Sequence, residues 1–523
     1  MTEALAVEDP SDGTVAGRQN ADATAWIAVA AGALGAMLAT LDISIVNSAL
    51  PVIQGEIGAT GVEGTWIATS FLVAEIVVIP LSAWLERLFG LRTLLIIAVS
   101  AFTAFSVLCG IATDLTTMII GRTGQGFMGG VLIPTAMTIV AKRLPPHQQP
   151  IGMAVFGMTV VLGPVMGPLI GGWLTENLSW HYAFFVNVPV CGVLLLLLFV
   201  ALPHEKPKWE YLTDADWAGI LGLVLGLGGL TVVLEEGHRE EWFESALIRW
   251  LTLITVLGFA SLIYGQLNAR KPVLKLKLLL DRQFGSVAIM ALALGMVMYG
   301  STYVIPQFLA IISDYNALQT GLVIFWMGVP AFLLMPVLPL MIRKIDIRIA
   351  VGAGMLLMAV SCFVSTSLTA ESGGAVFTES QLLRGVGMIL LMMFLNQATV
   401  ASVAKEDAGD ASSIFNAARN LGGSFALSAL ASFQDQRIWH HSRRMEETLN
   451  ANSVSLRSYL EGLARNMGGM EEAMAVLSRT IQREAFIMTY NDVFLVMGIL
   501  TLSTVPLALF LKPLPKNVSL SMH

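Results

Sequence analysis

Four ionisable residues stand inside apolar stretches of this chain, where a charge costs at least about 2.5–3.5 kcal/mol and ordinarily faces a cavity or a partner. Asp42 lies in L-D-I-S-I-V-N-S-A-L-P (41–51), Glu75 in F-L-V-A-E-I-V-V-I-P (71–80), Arg122 in G-R-T-G-Q-G (121–126) and Arg419 in S-S-I-F-N-A-A-R-N-L-G-G-S (412–424). Two carboxylates and two arginines on four different stretches suit proton coupling. Desolvation favours a neutral carboxyl and a nearby arginine favours an ionised one, so opening and closing a cavity can load and release a proton. The alternative is structural: a hydrogen bond to a neighbouring helix for either carboxylate, or a packing ion pair for Arg122. Arg384 sits closer to the outer end of its stretch and is expected to snorkel. The ATP-binding fingerprint G-x-x-x-x-G-K-[ST] does not occur, so the energy source is an ion gradient or the chain lacks one of its own. We expect transport rather than bond chemistry, with no catalytic residue, no metal ligand and no cofactor beyond a coupling proton.

The elements that must position these residues are membrane helices. Mean hydropathy is +0.72, and only 13% of residues are charged, against about a quarter in soluble domains. No basic patch interleaved with aromatics supports a nucleic-acid partner. Cys109, Cys191 and Cys362 all fall in apolar stretches without metal-ligand spacing, which argues against disulfides and zinc. The polar first 24 residues lack the charged and apolar regions of a signal peptide and read as a disordered tail. At about 20 apolar residues per crossing, fourteen spans are expected, near 25–47, 65–85, 93–112, 116–141, 150–173, 182–202, 216–234, 247–268, 284–311, 319–342, 348–368, 380–403, 411–432 and 490–511. The fold class is therefore an all-α polytopic membrane protein.

Lysine and arginine set the orientation, because they favour cytoplasmic loops. With the N-terminus inside, alternate connections and the two tails hold eighteen Lys/Arg, while the short outer loops hold only Arg239 and Arg249 beside Glu235, Glu236, Glu240, Glu241 and Glu244. Both termini are then cytoplasmic. The exception is the long outer loop 433–489, whose apolar residues recur every three to four positions. That period predicts two amphipathic helices, broken near Asn452 or Met467–Gly469, with one apolar face that would pack on a partner.

An internal repeat organises the spans. Arg122 precedes Val-Ala-Lys at 140–142 by 18 residues, and Arg384 precedes Val-Ala-Lys at 403–405 by 19. Each copy is followed by a span rich in small residues. The expected units are a six-helix half at 25–202, inserted helices 7 and 8 within 203–283, a second half at 284–511 and a tail at 512–523, the plan of a secondary transporter. The fifth span carries Gly157, Gly163, Pro164, Gly167, Pro168, Gly171 and Gly172. Glycines allow close helix approach and prolines are tolerated in lipid, so this span is expected to present a kinked, water-tight face between the halves. Asn47, Gln125, Asn396 and Asn416 are candidates for a substrate cavity.

These motifs together resemble the major facilitator superfamily, and within it the fourteen-span drug:proton antiporters of the EmrB type. The resemblance covers nearly the whole chain: 41–51 is similar to the family's first-helix motif, R-T-G-Q-G (122–126) to its fourth-helix motif, and G-P-V-M-G-P-L-I-G-G (163–172) to its fifth-helix antiporter motif. G-T-W (64–66), N-V-P (187–189), the 412–424 stretch and the loop before the last span also fit. The loop S-A-W-L-E-R-L-F-G-L-R (82–92) departs from the usual G-x-L-x-D-R-x-G-R-R/K, with Ser82 and Glu86 substituted, yet Glu86, Arg87, Gly90 and Arg92 still read as a cytoplasmic gate. Glu75 has no place in the family pattern. The resemblance implies a bacterial inner-membrane exporter of small lipophilic compounds, exchanging them for protons within a tripartite pump with a periplasmic adaptor and a TolC-like outer-membrane channel. Export of one physiological solute such as a fatty acid, siderophore or secondary metabolite, import of a solute, or a transport-dead sensor or scaffold on the same fold are the competing readings.

Overall fold

The structure is a computed structural model that describes residues 20–334, 337–449, 454–467 and 469–511. Most of both expected tails, and the region around Asn452, lie outside the described residues. Among those described, twelve helices are long and apolar enough to cross a bilayer, and the two remaining expected spans also fall on helices. We number them α1 (Ala23–Glu56), α2 (Trp66–Phe89), α3 (Leu91–Gly110), α4 (Leu115–Arg143), α5 (Gln149–Asn177), α6 (Asn187–Ala201), α7 (Trp217–Gly237), α8 (Ala246–Asn268), α9 (Arg282–Ile312), α10 (Ala317–Leu334), α11 (Ile347–Val364), α12 (Phe377–Ala401), α13 (Ala408–Thr448) and α14 (Met470–Thr504). Helix α10 is continued by Leu338–Lys344, and α13 is long but too polar to meet the hydropathy of a simple span.

Local chemistry sets many of the boundaries. Asp22, Asp114, Asp216, Asp281 and Asp346 each cap a helix N-terminus through a side-chain oxygen, which satisfies backbone donors that the first turn leaves free. Gly90, at φ 76°, ends α2 and turns directly into α3; few residues other than glycine take that conformation.

The repeat is visible in who packs on whom. In the first half α1 packs on α4, α5 and α6, α2 on α4, and α3 on α4 and α6; in the second, α9 packs on α12, α13 and α14, α10 on α12, and α11 on α12 and α14. The halves meet along two seams, α5 with α10 and α12, and α13 with α2 and α4. Helices α7 and α8 pair with each other, and α7 lies across the second seam, touching both α2 and α13. We call the end that carries the connections at 87–92, 142–149 and 269–282 the basic face.

Two expectations need correction here. The 433–489 loop is not a two-helix excursion: α13 runs on to Thr448, a short helix follows at Val454–Met467, and α14 begins at Met470. The expected break at Asn452 lies outside the described residues, and the span helices on both sides continue past their expected bounds, to Thr448 and from Met470. Glu235 and Glu236 are not in a solvated loop either. They occupy the last turn of α7, where Glu236 is buried, accepts from Thr69 Oγ1 at 3.2 Å and pairs with Arg239.

Candidate functional site

Asp42, midway along α1, is fully buried and meets Arg122 of α4, also fully buried, at 2.6 Å. Most of the remaining valences are filled by neutral groups, while Arg122 Nη2 is buried without a hydrogen-bond partner. Arg122 Nη1 also donates to Gln125 Oε1 (3.1 Å) and its Nε to the Ile67 carbonyl (3.1 Å), while its guanidinium lies 4.2 Å from the Phe71 ring centroid. The second carboxylate oxygen of Asp42 accepts from Asn187 Nδ2 at 2.6 Å and Gln125 Nε2 at 3.2 Å, and both amides also reach Ser106 Oγ. Side chains from α1, α3, α4 and α6 thus close a buried polar cage. Gln125, expected to line a substrate cavity, belongs to this cage. Asn187 and Ser106 were missed: N-V-P marks Asn187 as a motif residue, but nothing in sequence spacing points a helix-start asparagine at α1.

Glu75 and Arg419 lie elsewhere. Each is 1% exposed, Glu75 on α2 and Arg419 on α13, and the Arg419 charge acts on Glu75 across the seam between the halves. Asn420 stands beside Glu75 and accepts from Arg419 Nη2 (3.4 Å) and Tyr299 Oη (3.3 Å). Glu75 Oε2 and Arg419 Nε and Nη1 are buried without hydrogen-bond partners.

The glycines of α5 serve a different contact from the one expected. A Cβ at Gly163, Gly167 or Gly171 would fall 2.0–2.2 Å from Thr40, Ser44 or Ser48 of α1. One glycine per turn therefore interlocks with one hydroxyl residue per turn, and this flat face lies within the first half rather than between halves. It also brackets Asp42 and fixes its height. Pro168 has no N–H for the Pro164 carbonyl one turn back, and Ser44 Oγ donates to that carbonyl at 3.0 Å. The opposite side of α5, at Val165, Pro168 and Leu169, meets Gly321 and Gly328 of α10 in the other half. Gly172 is buried. Gly157 faces Asn396 of α12, 3.8 Å from its Nδ2.

The remaining cavity candidates do not share one wall. Asn47 is exposed near the far end of α1. Asn396 and Asn416 are fully buried in the second half; Asn416 Nδ2 donates to the Ser412 carbonyl at 2.8 Å and contacts Met137 of α4. Both amide atoms of Asn396, together with Gln397 Oε1, Ser412 Oγ and Asn416 Oδ1, lack partners. These buried, unsatisfied polar atoms on α12 and α13 are the stronger substrate-facing candidates, and the structure adds Gln397 and Ser412 to them.

At the basic face, Arg87 bridges the halves to Asp410 of α13 at 2.8 Å and donates to the Val273 carbonyl at 2.9 Å. Lys142 Nζ donates to Glu86 at 2.5 Å, and Ser82 Oγ meets Ser413 Oγ at 3.0 Å. Gly90 supplies the turn. Arg92 does not join this gate, because its guanidinium lies over the Phe199 ring of α6 at 5.5 Å. Arg384 does not snorkel: it is 1% exposed, donates to Gln381 at 2.9 Å, and leaves Nε and Nη2 without partners. Helix α12 begins seven residues before it, far enough to bring it inside the bundle. Among the described residues, no three His, Cys, Asp or Glu side chains come together as a metal site.

Residues 32–427 match the Major Facilitator Superfamily. The chain belongs to the major facilitator superfamily. It is 30% identical to the colistin resistance protein EmrB of Acinetobacter baumannii, over 93% of this chain and 96% of that one. It is equally similar to the fatty acid resistance protein FarB of Neisseria gonorrhoeae (94% and 96% covered) and to the multidrug export protein EmrB of Escherichia coli K12 (92% and 94%). The fold matches the human organic anion transporter MFSD10 at TM-score 0.59 and 15% identity, covering 91% of this chain and 99% of that one. It also matches the proton:xylose symporter XylE at TM-score 0.56 and 14% identity, covering 92% and 96%. The chain is a multi-pass membrane protein of a transporter superfamily.

Proposed function

We propose that this chain is a proton-driven secondary exporter of amphipathic or hydrophobic compounds. It would sit in a bacterial inner membrane with both termini cytoplasmic, as the membrane part of a tripartite pump. The observation that carries the reading is the Asp42–Arg122 pair at 2.6 Å inside a cage of neutral donors. Truncating one partner of such a buried pair costs about 3–5 kcal/mol, and apolar residues of similar volume serve stability as well or better, so stability alone gives no reason to retain it. Protonating Asp42 neutralises it and frees Arg122, whose remaining donors then lack an anion; substrate arrival or reopening toward the other side can restore the pair. The names of the relatives, which speak of multidrug export and of colistin and fatty acid resistance, support the substrate class. A single physiological solute, a fatty acid above all, is the second reading, favoured by the FarB relative.

The test is transport in proteoliposomes with an imposed pH gradient, over a panel of lipophilic drugs and fatty acids. Gradient-driven uptake or release of several drugs is expected, abolished in Asp42→Asn with insertion intact; wild-type transport by that variant removes Asp42 from coupling. Movement of fatty acids alone selects the second reading. We assign the 433–489 headpiece to a periplasmic adaptor and, through it, a TolC-like channel. Deleting 440–480 should leave the spans folded and break adaptor crosslinking, and crosslinking that survives the deletion removes the docking assignment.

A further inference from the structure

Asp42 and Arg122 belong to one half and move with it. Glu75 and Arg419 do not share a half, and the way each is held makes their separation a measure of how the halves sit. Helix α4 packs so closely on α2 that a Cβ at Gly130 would lie 2.9 Å from the Glu75 carbonyl, and α9 packs so closely on α13 that one at Gly295 would lie 1.8 Å from the Arg419 carbonyl. Each charge is thus fixed to its own half by backbone contact. Helices α2 and α13 run antiparallel along the seam with a regular register. Arg87 meets Asp410, Ser82 meets Ser413, and seven residues further along both helices Glu75 meets Asn420.

The first two contacts are made, at 2.8 and 3.0 Å. The third is not fully made, since Glu75 Oε2 and two nitrogens of Arg419 are buried with no partner. Opposite charges so placed leave room for a small change in spacing to decide whether the carboxyl is ionised. The other groups facing this point are Asn420 on the same helix as Arg419, Tyr299 on α9, and Arg122 on α4 with its partner Asp42. On α7, Glu235 approaches Ser424 of α13 and Glu236 approaches Thr69 of α2, one carboxylate on each side of the seam.

We propose that Glu75 and Arg419 form a second proton-binding site, a latch on the seam between the halves. Ionised Glu75 is held by Arg419 through Asn420 and keeps the basic face shut. A proton taken from water onto Glu75 Oε2 removes that attraction and lets α2 part from α13; the proton leaves when the site faces the opposite side. The latch rests on the proton-driven reading, but its test does not need transport. Nitroxide labels at Pro146→Cys and Glu406→Cys, both exposed at the basic face, report its opening in the full-length protein in lipid nanodiscs.

In the wild type, the shut population should fall as pH is lowered. Glu75→Gln should show, at every pH, the distance distribution that the wild type reaches only at low pH. Glu75→Asp should keep the response with a shifted midpoint. Arg419→Gln, which removes the partner instead, should also lose the shut population at high pH and serves if Glu75→Gln does not fold. Asp42→Asn should retain the Glu75 response. A Glu75→Gln distribution identical to wild type at every pH overturns the latch. So does a wild type indifferent to pH, while the transport reading still stands or falls on its own proteoliposome assay.

Discussion

The Asp42 cage shows how a carboxylate is kept in a dry interior without a second full charge for each lone pair. Arg122 supplies one strong bond, and Gln125 and Asn187 share the other oxygen. Replacing Arg122 with Ala leaves Asp42 buried and unpaired, so a loss of about 3–5 kcal/mol is expected; the double variant Asp42→Asn/Arg122→Ala should recover much of it. Thermal unfolding in detergent measures both. Asn187→Leu is expected to cost about 1–3 kcal/mol by leaving Asp42 Oδ1 with only the longer Gln125 bond, and to weaken proton-driven efflux without removing it. The four charged residues are visible in sequence because charges inside apolar stretches are rare. Their division into a cage and a seam site is not visible, since it depends on which face of each helix turns inward, and low-amphipathicity spans carry no such mark. Arg384 misled for a related reason: its distance from the span end says nothing of the direction it points.

Helix α5 has two working faces, and the predictions differ for each. A methyl at Gly163 would collide with Thr40 Oγ1 at 2.0 Å, whereas at Gly157 the nearest atom is 3.8 Å away. Gly163→Ala is therefore expected to destabilise by about 1–3 kcal/mol and Gly157→Ala to be near neutral, as read by thermal unfolding. Ser44→Ala leaves the Pro164 carbonyl without its donor and should cost about 1–3 kcal/mol. Pro168→Ala restores a backbone N–H one turn on, so the Ser44→Ala/Pro168→Ala pair should cost clearly less than the two changes summed. Strict additivity in that cycle would show that the serine does not answer for the proline. The Gly-Pro composition announces close packing, but sequence cannot say that the glycines take α1 and Pro168 takes α10.

At the scale of the whole molecule, the two halves are joined at the basic face by side chains from α2 and α13. The pair Ser82→Cys/Ser413→Cys, replacing hydroxyls 3.0 Å apart, is expected to crosslink under mild oxidation and stop efflux, with recovery on reduction; free transport after complete crosslinking would mean the halves need not part here. The spans and the repeat were legible because apolar length and the two Val-Ala-Lys exits recur, while Asp410 and Ser413 acquire meaning only once the halves are docked. Helix α13 carries that docking surface further than a membrane requires. Its 41 residues make a rod of about 60 Å at about 1.5 Å per residue, roughly twice the hydrocarbon core. One end holds Asp410, Ser413 and Arg419, and the other is fastened to α14 by Arg437 and His441, both on Asp492 at 2.7 Å. Such a rod is a lever. A tilt of about 10° at the seam swings its tip by about 10 Å over that length, so a sub-nanometre event in mid-bilayer becomes a stroke outside it.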